Sequence, residues 1–580
     1  MNRIPRAEHP RPDRERAEWL SLNGTWEFEI DNARVGVEKR FFERTSLEES
    51  ILVPFCPESR LSGIAHTDFM NTVWYRRDIE IPLSFAGKRV LLHIDACDYH
   101  TAVYVNGRHV GSHDGGYTPF AFDITDALHD GKNSLTIRAD DDLRSEKQLS
   151  GKQSSRLASY GCYYTRTTGI WQSVWLEAVE EAHVLSYRAY PNVTDPSVGL
   201  LVSMSQASLG ATLTVKAYYE GRLMGKASAR VDSLQASLSL PLAEKHLWEC
   251  GKGRLYDLVF TTEQNGRTDL LKGYFGLREV ALTKEKGLTV NGKTVFGRFV
   301  LDQGFYPEGI YTAPSDEALL FDIEASMACG FNGARLHQKV FEPRFLYHAD
   351  RLGYMVWAET GNWGLDHTEE NSIYSFLPEW LEEIERDFSH PSVIGWCPFN
   401  ETWDKHGRRQ CNSFLDTVYD VTRAIDRTRP VITTSGSYPT RRTDVHDVHD
   451  YEQDPEKLRS YYADLKDGIC RDQLWRRDPN RQVFDPRLPV FVSEYGGIAW
   501  KKENGAWGYG KSATSEEEFF ARLEGLTDAL LENPCIFAFC YTQLTDVEQE
   551  QNGLLTYQRE YKFSPERYHR IFSKAAAIEK

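Results

Sequence analysis

Beyond residue 295 the chain alternates short apolar runs with longer amphipathic segments, and this alternation constrains the fold more than any other feature. Each run is short enough to form one buried strand, and each intervening segment is long enough to hold a helix. Eight strands alternating with helices over about 280 residues predict a (β/α)8 barrel. The eight candidate strands are GRFVLDQG, GARLH, YMVWAE, VIGWCPFNE, VITTS, DVHDV, VFVSEYG and IFAFCYTQ.

Three of the intervening segments carry explicit helix-boundary signals. The first has Ser315 as a candidate N-cap and Gly330 as its end. The second ends before Pro391, because proline cannot continue a helix. The third opens with Ser515 and Glu518 at the spacing of a capping box. These signals support helices between the candidate strands.

The part of the chain from about residue 20 to about residue 280 has the period of strands instead. Apolar and polar residues alternate through RVLLHIDACDYHTAVYVNGRHVGSHDGG, where Asn106-Gly107 is a strong signal for a two-residue hairpin turn. A chain of 580 residues is too long for one hydrophobic core, and this strand-rich part fits two β-sandwiches better than one. We therefore predict domains at 1–180, 181–280 and 281–580.

Composition limits the partners and the location of the protein. The net charge is −17 at pH 7, which argues against nucleic acid or an anionic membrane as the main partner. The chain has no apolar run of about 18 residues that could span a membrane, and its first residues lack the apolar stretch of a signal peptide. The ten cysteines include no CxxC pair, so reduced thiols and a cytoplasmic location are expected.

Glutamates end three of the predicted barrel strands: Glu359 the third, Glu401 the fourth and Glu494 the seventh. In a (β/α)8 barrel the C-terminal strand ends build the active site, and the fourth and seventh strands lie nearly opposite each other. Two carboxyl groups about 5–5.5 Å apart can cleave a glycosidic bond with retention, one as acid and one as nucleophile. Asn400, beside Glu401, offers an amide to the 2-hydroxyl of a sugar. The alternative is that these glutamates are structural salt-bridge partners.

The segments around both glutamates, GWCPFNE and FVSEYGG, resemble glycoside hydrolase family 2, the β-galactosidase and β-glucuronidase family. LNGTWEF (22–28), TTGIWQSVWLE (167–177), GFNGARLH and ADRLGYMVWAE extend the resemblance across the chain. It implies an N-terminal sugar-binding jelly roll, an immunoglobulin-like β-sandwich at 181–280 and a C-terminal TIM barrel. It also implies Glu401 as general acid/base, Glu494 as nucleophile, a carbohydrate partner and no cofactor. Dimers and tetramers are common in the family, and a homo-oligomer is expected on that ground alone.

The segment after the second strand both follows and departs from the family pattern. By resemblance, Arg335 keeps the nucleophile ionised, because a nearby cation lowers the pKa of a carboxyl group; the alternative is an arginine that caps the barrel by ion pairing. The family usually continues Arg-x-Ser-His-Tyr-Pro, whereas this chain has His337, Gln338 and Lys339. His337 and Lys339 are candidate substrate-binding residues. Lys339 could pair with a uronate carboxylate, or it could point to water.

The cluster DVHDVHDY (444–451) supplies two further candidates. Strand alternation puts Asp447, His449 and Tyr451 on one face. Family members place a Tyr or His near this strand end against the nucleophile, so His449 and Tyr451 are candidate substrate-binding residues by resemblance. A divalent metal bound through His446 and His449 is the rival hypothesis, but alternation splits such ligands between two faces. We expect no metal.

Loops after the strand ends carry the remaining candidates. Aromatic rings stack on the apolar faces of sugars, although buried tryptophans commonly belong to the core. The polar run after the eighth strand fits either recognition of sugar hydroxyls or a solvated turn. The polar loop 151–169 could reach the barrel mouth from the first domain. The candidates on these loops are Trp363, Trp500, Trp507, Gln543, Asp546, Glu548, Tyr163 and Tyr164.

The prediction of which sugar the enzyme cleaves depends on a sequence motif that is absent from the segment after the last barrel strand. Glucuronidases of the family carry an Asn-x-Lys element after the last barrel strands, and NGLLTYQREYKFSPERYH contains none. We therefore expect a retaining exo-β-glycosidase that is β-galactosidase-like. The alternative is a β-hexuronidase, a β-galacturonidase or an atypical β-glucuronidase, that binds the uronate through Lys339 or a nearby arginine. A catalytically inactive carbohydrate-binding protein and a β-sandwich scaffold are hypotheses from other classes, and the intact glutamate pair disfavours both.

Overall fold

The computed structural model describes residues 4–500 and 506–580, which form three structural units in chain order. Two β-sandwiches come first, and a parallel barrel follows with its strands at the eight predicted runs. Among the described residues the first α-helix begins at Asp316, as the strand-like period before it predicts. No α-helix in these ranges is long and apolar enough to cross a membrane. All ten cysteines are free thiols.

The first unit is a jelly-roll sandwich of two antiparallel sheets. In the strand Arg89–Ile94 every second residue is buried, as a sheet with one solvated face requires. The predicted turn is confirmed: Asn106 and Gly107 have φ of 51° and 74°, the positive values that a tight hairpin needs. The six-stranded sheet contains Glu49–Val53, Gly24–Ile30, Thr72–Glu80, Lys132–Asp140, His100–Val105 and Arg108–Asp114. The four-stranded sheet contains Trp19–Ser21, Val174–Val179, Arg89–Ile94 and Phe120–Asp123, and Gly169–Ile170 pairs with Cys97–Asp98.

The second unit is an immunoglobulin-like sandwich around its own hydrophobic core. Burial alternates strictly in its strand Gln235–Pro241, where Ala236, Leu238 and Leu240 face inward. One sheet contains Val184–Asn192, Ser197–Met204 and Gln235–Pro241, and the other contains Arg222–Arg230, Thr212–Tyr219, Tyr256–Gln264 and Arg267–Phe275. A small sheet of Val280–Thr283, Gly287–Val290 and Lys293–Thr294 leads into the barrel.

The third unit is the (β/α)8 barrel. Its strands are β1 Gly297–Asp302, β2 Gly333–Leu336, β3 Met355–Glu359, β4 Val393–Cys397, β5 Thr434–Ser435, β6 His446–Asp450, β7 Val490–Gly496 and β8 Ile536–Thr542. Seven of them form one parallel ladder in the order β4-β3-β2-β1-β8-β7-β6. Their residues are buried on both faces, because helices cover the outside of a parallel barrel.

Side chains complete the barrel around β5, its shortest strand. β5 pairs with Phe399–Asn400, a continuation of β4. Toward β6, the Gly436 N–H donates to Asp447 Oδ1 at 2.8 Å, and Ser435 Oγ lies 2.9 Å from His449 Nε2. These bonds take the place of a backbone ladder and fix His449 where the barrel mouth opens.

The barrel helices confirm most of the predicted boundaries. The first one ends two residues before Gly330, whose φ is 99°. Ser515 accepts from the Glu518 N–H at 3.2 Å, but the Glu518 carboxylate bonds to Thr514 rather than to Ser515, so only half of the predicted capping box forms. The helices are α1 Asp316–Ala328, α2 Pro343–Leu352, α3 Ile373–Asp387, α4 Asn412–Ile425, α5 Pro455–Tyr462, α6 Gln473–Arg477, α7 Glu516–Leu531 and α8 Pro565–Phe572. A further small sheet pairs Ile498–Trp500 with Tyr509–Ala513.

Candidate active site

Glu401 and Glu494 meet at the C-terminal mouth of the barrel. Glu494 lies in β7, and Glu401 directly follows the continuation of β4. One carboxylate oxygen of each lies within 4.8 Å of the other and of a ring nitrogen of His449. This separation is close to the ~5–5.5 Å of retaining glycosidases and below the ~6.5–9.5 Å of inverting ones. The buried apolar strand β4 anchors the wall, and its end delivers Glu401 to the mouth.

Arg335, in β2, links several groups beside the carboxylate pair. Its guanidinium donates to Glu359 Oε1 at 2.5 Å, to Ser493 O at 2.7 Å and to Asn400 Oδ1 at 3.0 Å. It also donates to Glu494 Oε1 at 3.4 Å. Burial lowers the pKa of Arg335, but Glu359 and Glu494 outweigh burial and raise it. The guanidinium is therefore a permanent cation beside Glu494.

His449 lies between the two carboxylates. Its Nδ1 is 2.9 Å from Glu401 Oε1 and 3.4 Å from Glu494 Oε2. Burial lowers the pKa of His449, but Glu494 and Glu401 reverse this and raise it above its ordinary value. Burial raises the pKa of Glu401, but the hydrogen bond and charge of His449 outweigh it and lower that pKa. Both shifts place the shared proton on His449 in the protein without substrate.

Tyr451 contacts Glu494 from beyond the end of β6. Its hydroxyl donates to Glu494 Oε2 and lies 3.1 Å from Thr542 Oγ1. The Tyr451 ring stacks on Tyr509, with centroids 3.4 Å apart and an angle of 3° between the planes. Because stacking fixes the ring, the hydroxyl group stays directed at the Glu494 carboxylate.

Asn400 carries an amide group with an unused donor. Its Oδ1 accepts from Arg335, and its backbone N–H donates to Asn362 Oδ1 at 2.9 Å. Its buried Nδ2 has no hydrogen-bond partner in the part of the chain that the structure describes. Buried donors are almost always satisfied, so this amide is available to a hydroxyl group of a bound sugar.

The loop 151–169 of the first sandwich reaches the barrel mouth. Near its start, the Gly151 N–H donates to Gly361 O at 2.9 Å, just after β3. Near its end, the Thr165 N–H donates to Glu548 Oε1 at 3.0 Å, beyond β8. Since β2 and β1 lie between β3 and β8 in the sheet, the loop crosses that side of the mouth and closes it.

Two family models match the chain. Residues 19–178 match the glycosyl hydrolases family 2, sugar binding domain, and residues 284–519 match the glycosyl hydrolases family 2, TIM barrel domain. The two matches together cover more than half of the chain. The chain belongs to glycoside hydrolase family 2.

Relatives of this family 2 enzyme carry two activities in their names. The β-glucuronidase of Mus musculus is 26% identical over 541 residues, which cover 83% of this chain and 78% of the mouse protein. The β-galactosidase of Thermoanaerobacter pseudethanolicus is 25% identical over 380 residues, which cover 63% of this chain but only 48% of the bacterial protein. Among solved structures, the Lactobacillus rhamnosus β-glucuronidase has a TM-score of 0.78 at 20% identity and matches over 97% of both chains. That structural likeness shows the fold alone.

The structure does not bring Lys339 to the carboxylate pair of this family 2 enzyme. Its Nζ donates to Gly304 O at 2.5 Å and to Tyr311 O at 2.7 Å, and the residue is only 3% exposed. Burial lowers the pKa of Lys339 to about 7. Because the ammonium of Lys339 already donates hydrogen bonds to two backbone carbonyls, the structure does not support its pairing with a uronate. Because the residue is buried, the alternative that Lys339 points to water is wrong.

His337 and Trp500 take different places. His337 Nδ1 lies 3.2 Å from Glu359 Oε2, and its Nε2 lies 4.0 Å from Glu494 Oε1, so His337 belongs to the site. The Trp500 ring packs edge-on against Phe519, with centroids 6.2 Å apart. Trp500 therefore packs against the hydrophobic core. A place in the core was the alternative to the prediction that Trp500 stacks on a sugar.

The loop after β8 contacts other parts of the protein and is not a solvated turn. Gln543 Oε1 accepts from Gln303 Nε2 at 2.7 Å, where β8 and β1 end. Glu548 is held by the loop 151–169, as described above. Trp507 donates its indole N–H to Gly161 O at 2.5 Å in the same loop. Glu548 and Trp507 therefore join the two domains at the rim of the site.

His446 and His449 do not share one site. His446 Nε2 lies 3.1 Å from Asp472 Oδ2, and both lie with Cys470 in a separate buried cluster. His449 instead lies with the carboxylate pair. The rival hypothesis of a metal bound by both histidines is therefore not supported.

A groove of about 420 Å³ adjoins the site between the loop 151–169 and the barrel. Trp363 connects the groove to the end of β4, because its indole N–H donates to Asn400 O at 3.0 Å. The rings of Tyr163 and Trp403 flank Trp363, with centroids 5.1 Å and 5.6 Å from it. Aromatic rings in this arrangement suit a sugar face or an aryl group.

Lys152 is a candidate residue that the sequence analysis missed. It is only 5% exposed, and its Nζ lies 5.5 Å and 5.8 Å from the ring centroids of Trp363 and Tyr164. The hydroxyl group of Tyr164, in turn, donates a hydrogen bond to the Glu550 carboxylate. A lysine in a polar loop is typically solvated, and only the docking of this loop on the barrel buries Lys152.

Proposed function

We propose that this chain hydrolyses terminal β-linked hexosyl residues by double displacement, with Glu494 as nucleophile and Glu401 as general acid/base. The observation that carries the proposal is the separation of their carboxylate oxygens, within 4.8 Å. That spacing suits direct attack on the sugar, whereas an inverting enzyme needs about 6.5–9.5 Å for an intervening water.

In the first step, the Glu494 carboxylate attacks the anomeric carbon while the Glu401 carboxyl group protonates the glycosidic oxygen. The bond between the anomeric carbon and that oxygen breaks, the aglycone leaves as an alcohol, and an ester to Glu494 forms. Arg335 stabilises the anionic nucleophile, and Tyr451 holds one of its oxygens. His449 supplies the proton to Glu401, because its Nδ1 lies 2.9 Å from the Glu401 carboxylate.

In the second step, the Glu401 carboxylate takes a proton from water, and the water oxygen attacks the anomeric carbon. The ester bond to Glu494 breaks, and the product sugar has the β configuration of the substrate. The unused amide donor of Asn400 is placed to bond the 2-hydroxyl, a contact that strengthens in the transition state.

The loop 151–169 favours exo-hydrolysis. It is hydrogen-bonded to the barrel after β3 and after β8, and a mouth closed on that side is a pocket for a chain end. The adjoining groove with Trp363 and Trp403 then receives the aglycone.

Two classes of sugar are candidates. The missing Asn-x-Lys element favours a neutral, galacto-configured sugar, and one named relative is a β-galactosidase. A hexuronide is the second candidate, and the observation in its favour is the buried cation Lys152.

The test is hydrolysis of a panel of p-nitrophenyl β-glycosides by the wild type and by Glu494→Gln. The substitution is expected to lower kcat/KM by at least about a thousandfold on every substrate that the wild type cleaves. The matched control is Glu560→Gln, an exposed glutamate that is expected to change nothing. Full activity of Glu494→Gln would exclude Glu494 as the nucleophile.

A covalent trap tests the mechanism separately. An activated 2-deoxy-2-fluoro β-glycoside slows the second step, so the ester accumulates, and peptide mass spectrometry is expected to place the sugar on Glu494. A product that is first released as the α-anomer would contradict double displacement. A wild type that binds sugars but cleaves no glycoside would support the carbohydrate-binding hypothesis instead.

A further inference from the structure

The loop 151–169 holds the Lys152 ammonium at the edge of the carboxylate site. The preceding Gly151 N–H donates to Gly361 O at 2.9 Å, and a Cβ at Gly151 would lie 2.2 Å from Gln338 O. The Lys152 carbonyl accepts from the Tyr164 N–H at 2.8 Å. These contacts fix the backbone at Lys152, and the rings of Trp363 and Tyr164 lie on either side of the path that its side chain takes.

Lys152 is a buried residue whose ammonium has no hydrogen-bond or ion-pair partner in the described part of the chain. Among residues 4–500 and 506–580 its Nζ makes ring contacts but no hydrogen bond and no ion pair. Burial lowers the pKa of Lys152, but the charges of Glu550 and Cys162 and, more weakly, those of Glu494 and Glu401 outweigh burial and raise it. The group therefore remains a cation at neutral pH. Polar groups of buried residues normally have hydrogen-bond partners, so the N–H groups of Lys152 are available to a ligand.

The groups around Lys152 are engaged elsewhere. Glu550 accepts from the Tyr164 hydroxyl and from Asn552 Nδ2 at 3.2 Å. Arg335 donates to acceptors of the protein itself, and the protonated His449 faces Glu401 and Glu494. Lys152 thus keeps its N–H donors for a molecule that enters the pocket.

We infer that Lys152 determines sugar specificity by binding the C6 carboxylate of a terminal β-linked hexuronide. The inference rests on the proposed function and names the substrate class for the same site. An ammonium–carboxylate hydrogen bond is charge-assisted and about twice as strong as a neutral one. A sugar hydroxyl would accept only an ordinary neutral-acceptor hydrogen bond from the ammonium. The rings of Trp363 and Tyr164 keep water from the stem of Lys152, which strengthens the pairing.

The test compares matched substrates that differ at C6. The p-nitrophenyl β-D-glucuronide and β-D-galacturonide are assayed beside the β-D-glucoside and β-D-galactoside. The wild type is expected to prefer the uronide of at least one pair. Lys152→Met is expected to lower kcat/KM on that uronide by roughly tenfold to a hundredfold, the effect of losing one charge-assisted hydrogen bond, and to spare the neutral partner. Lys152→Arg, which keeps the charge, is expected to retain part of the uronide activity.

Lys147→Met is the matched control, because Lys147 lies in the same segment but is exposed. It is expected to leave every rate unchanged. If Lys152→Met slowed uronides and neutral glycosides equally, Lys152 would merely balance the charge of Glu550, and the inference would be wrong. A wild type that cleaves only neutral glycosides would also overturn it, while leaving the proposed glycosidase function intact.

Binding to inactive protein separates recognition from turnover. Glu494→Gln is titrated calorimetrically with free galacturonate, glucuronate, galactose and glucose. A uronate is expected to bind more tightly than its neutral counterpart, and the difference is expected to vanish in the double variant Lys152→Met/Glu494→Gln. Equal binding of acids and neutral sugars would contradict the inference even if hydrolysis were never detected. Thermal unfolding of each variant checks that it is folded.

Discussion

The Nδ1 atom of His449 lies 2.9 Å from Oε1 of Glu401. Since the pKa of His449 is raised and that of Glu401 is lowered, the proton that Glu401 needs in its proposed role as acid/base is held by the imidazole before substrate binds. The two groups therefore titrate as one pair that loses a single proton. If the proposed roles are right, the alkaline limb of kcat/KM is expected to report the loss of this shared proton.

We expect His449→Gln to move that alkaline limb to lower pH. Burial lowers the pKa of His449, but Glu494 and Glu401 outweigh burial and raise it, so the wild-type pair keeps its proton to a higher pH than a free imidazole would. In the variant the proton must sit on Glu401, an acid with an ordinary pKa of 4.5. The measurement is kcat/KM from about pH 5 to about pH 9 on a glycoside with a poor leaving group. An activated aryl glycoside, which does not need the proton, is the control, and an unmoved limb would contradict the shared-proton model.

Tyr451→Phe tests the hydrogen bond to Glu494, the proposed nucleophile. The phenol donates to Glu494 Oε2, and a hydrogen bond to a charged group contributes about 1.5–3 kcal/mol. We expect kcat to fall roughly tenfold to a hundredfold, with little change in unfolding temperature because the stack on Tyr509 is retained. Tyr461→Phe removes a hydroxyl that bonds Glu452 at 3.1 Å and serves as the control. Equal effects of both substitutions would show that Tyr451 is only structural.

The barrel was predictable because its signals are local and repeated. Most of the barrel strands are apolar runs bounded by polar residues, although β5 and β6 are polar, and Glu401 and Glu494 stand directly at the ends of two such apolar runs. The Asn106-Gly107 turn was readable for the same reason, because the two residues alone determine its backbone. Sequence therefore identifies the carboxylate pair together with the fold that brings it together.

The two lysines show where reasoning from the sequence stops. Lys339 is buried because the Trp171 ring of the first sandwich lies 5.3 Å from its Nζ, and Lys152 is buried because Trp363 of the barrel covers it. Each contact joins residues that are far apart in the chain. The residues next to either lysine in the sequence give no sign that its side chain is buried. The sequence consequently pointed to Lys339 for a uronate, whereas in the structure Lys152 is a buried residue whose ammonium has no hydrogen-bond or ion-pair partner among the described residues.

Trp403→Ala tests whether the aromatic groove receives the aglycone. Trp403 packs edge-on against Trp363, with centroids 5.6 Å apart, and lines the groove. We expect KM to rise about tenfold for glycosides with a large aryl aglycone, because a ring contact of about 0.5–1.5 kcal/mol is lost. A methyl glycoside of the same sugar is expected to be affected little. Trp475→Ala, at an exposed tryptophan, is the control, and an equal rise for methyl and aryl glycosides would place the aglycone elsewhere.

Lys339→Met is expected to affect stability in a pH-dependent way and to leave sugar selectivity unchanged. Burial lowers the pKa of Lys339 to about 7 from an ordinary 10.5. Between these values the unfolded chain binds the proton and the folded protein does not, so the contribution of Lys339 to stability rises with pH. Below about pH 7 both states are protonated, and the contribution is constant at its lowest value.

The substitution should therefore destabilise the protein more at about pH 9 than at about pH 6, by about 2 kcal/mol in the free energy of unfolding. Part of the loss at both pH values comes from the carbonyls of Gly304 and Tyr311, which lose their donor. Denaturant unfolding of the wild type, Lys339→Met and the exposed control Lys147→Met measures the difference. A loss that is equal at both pH values would mean that Lys339 is charged throughout. A selective loss on hexuronides would restore Lys339, in place of Lys152, as the ligand of the uronate.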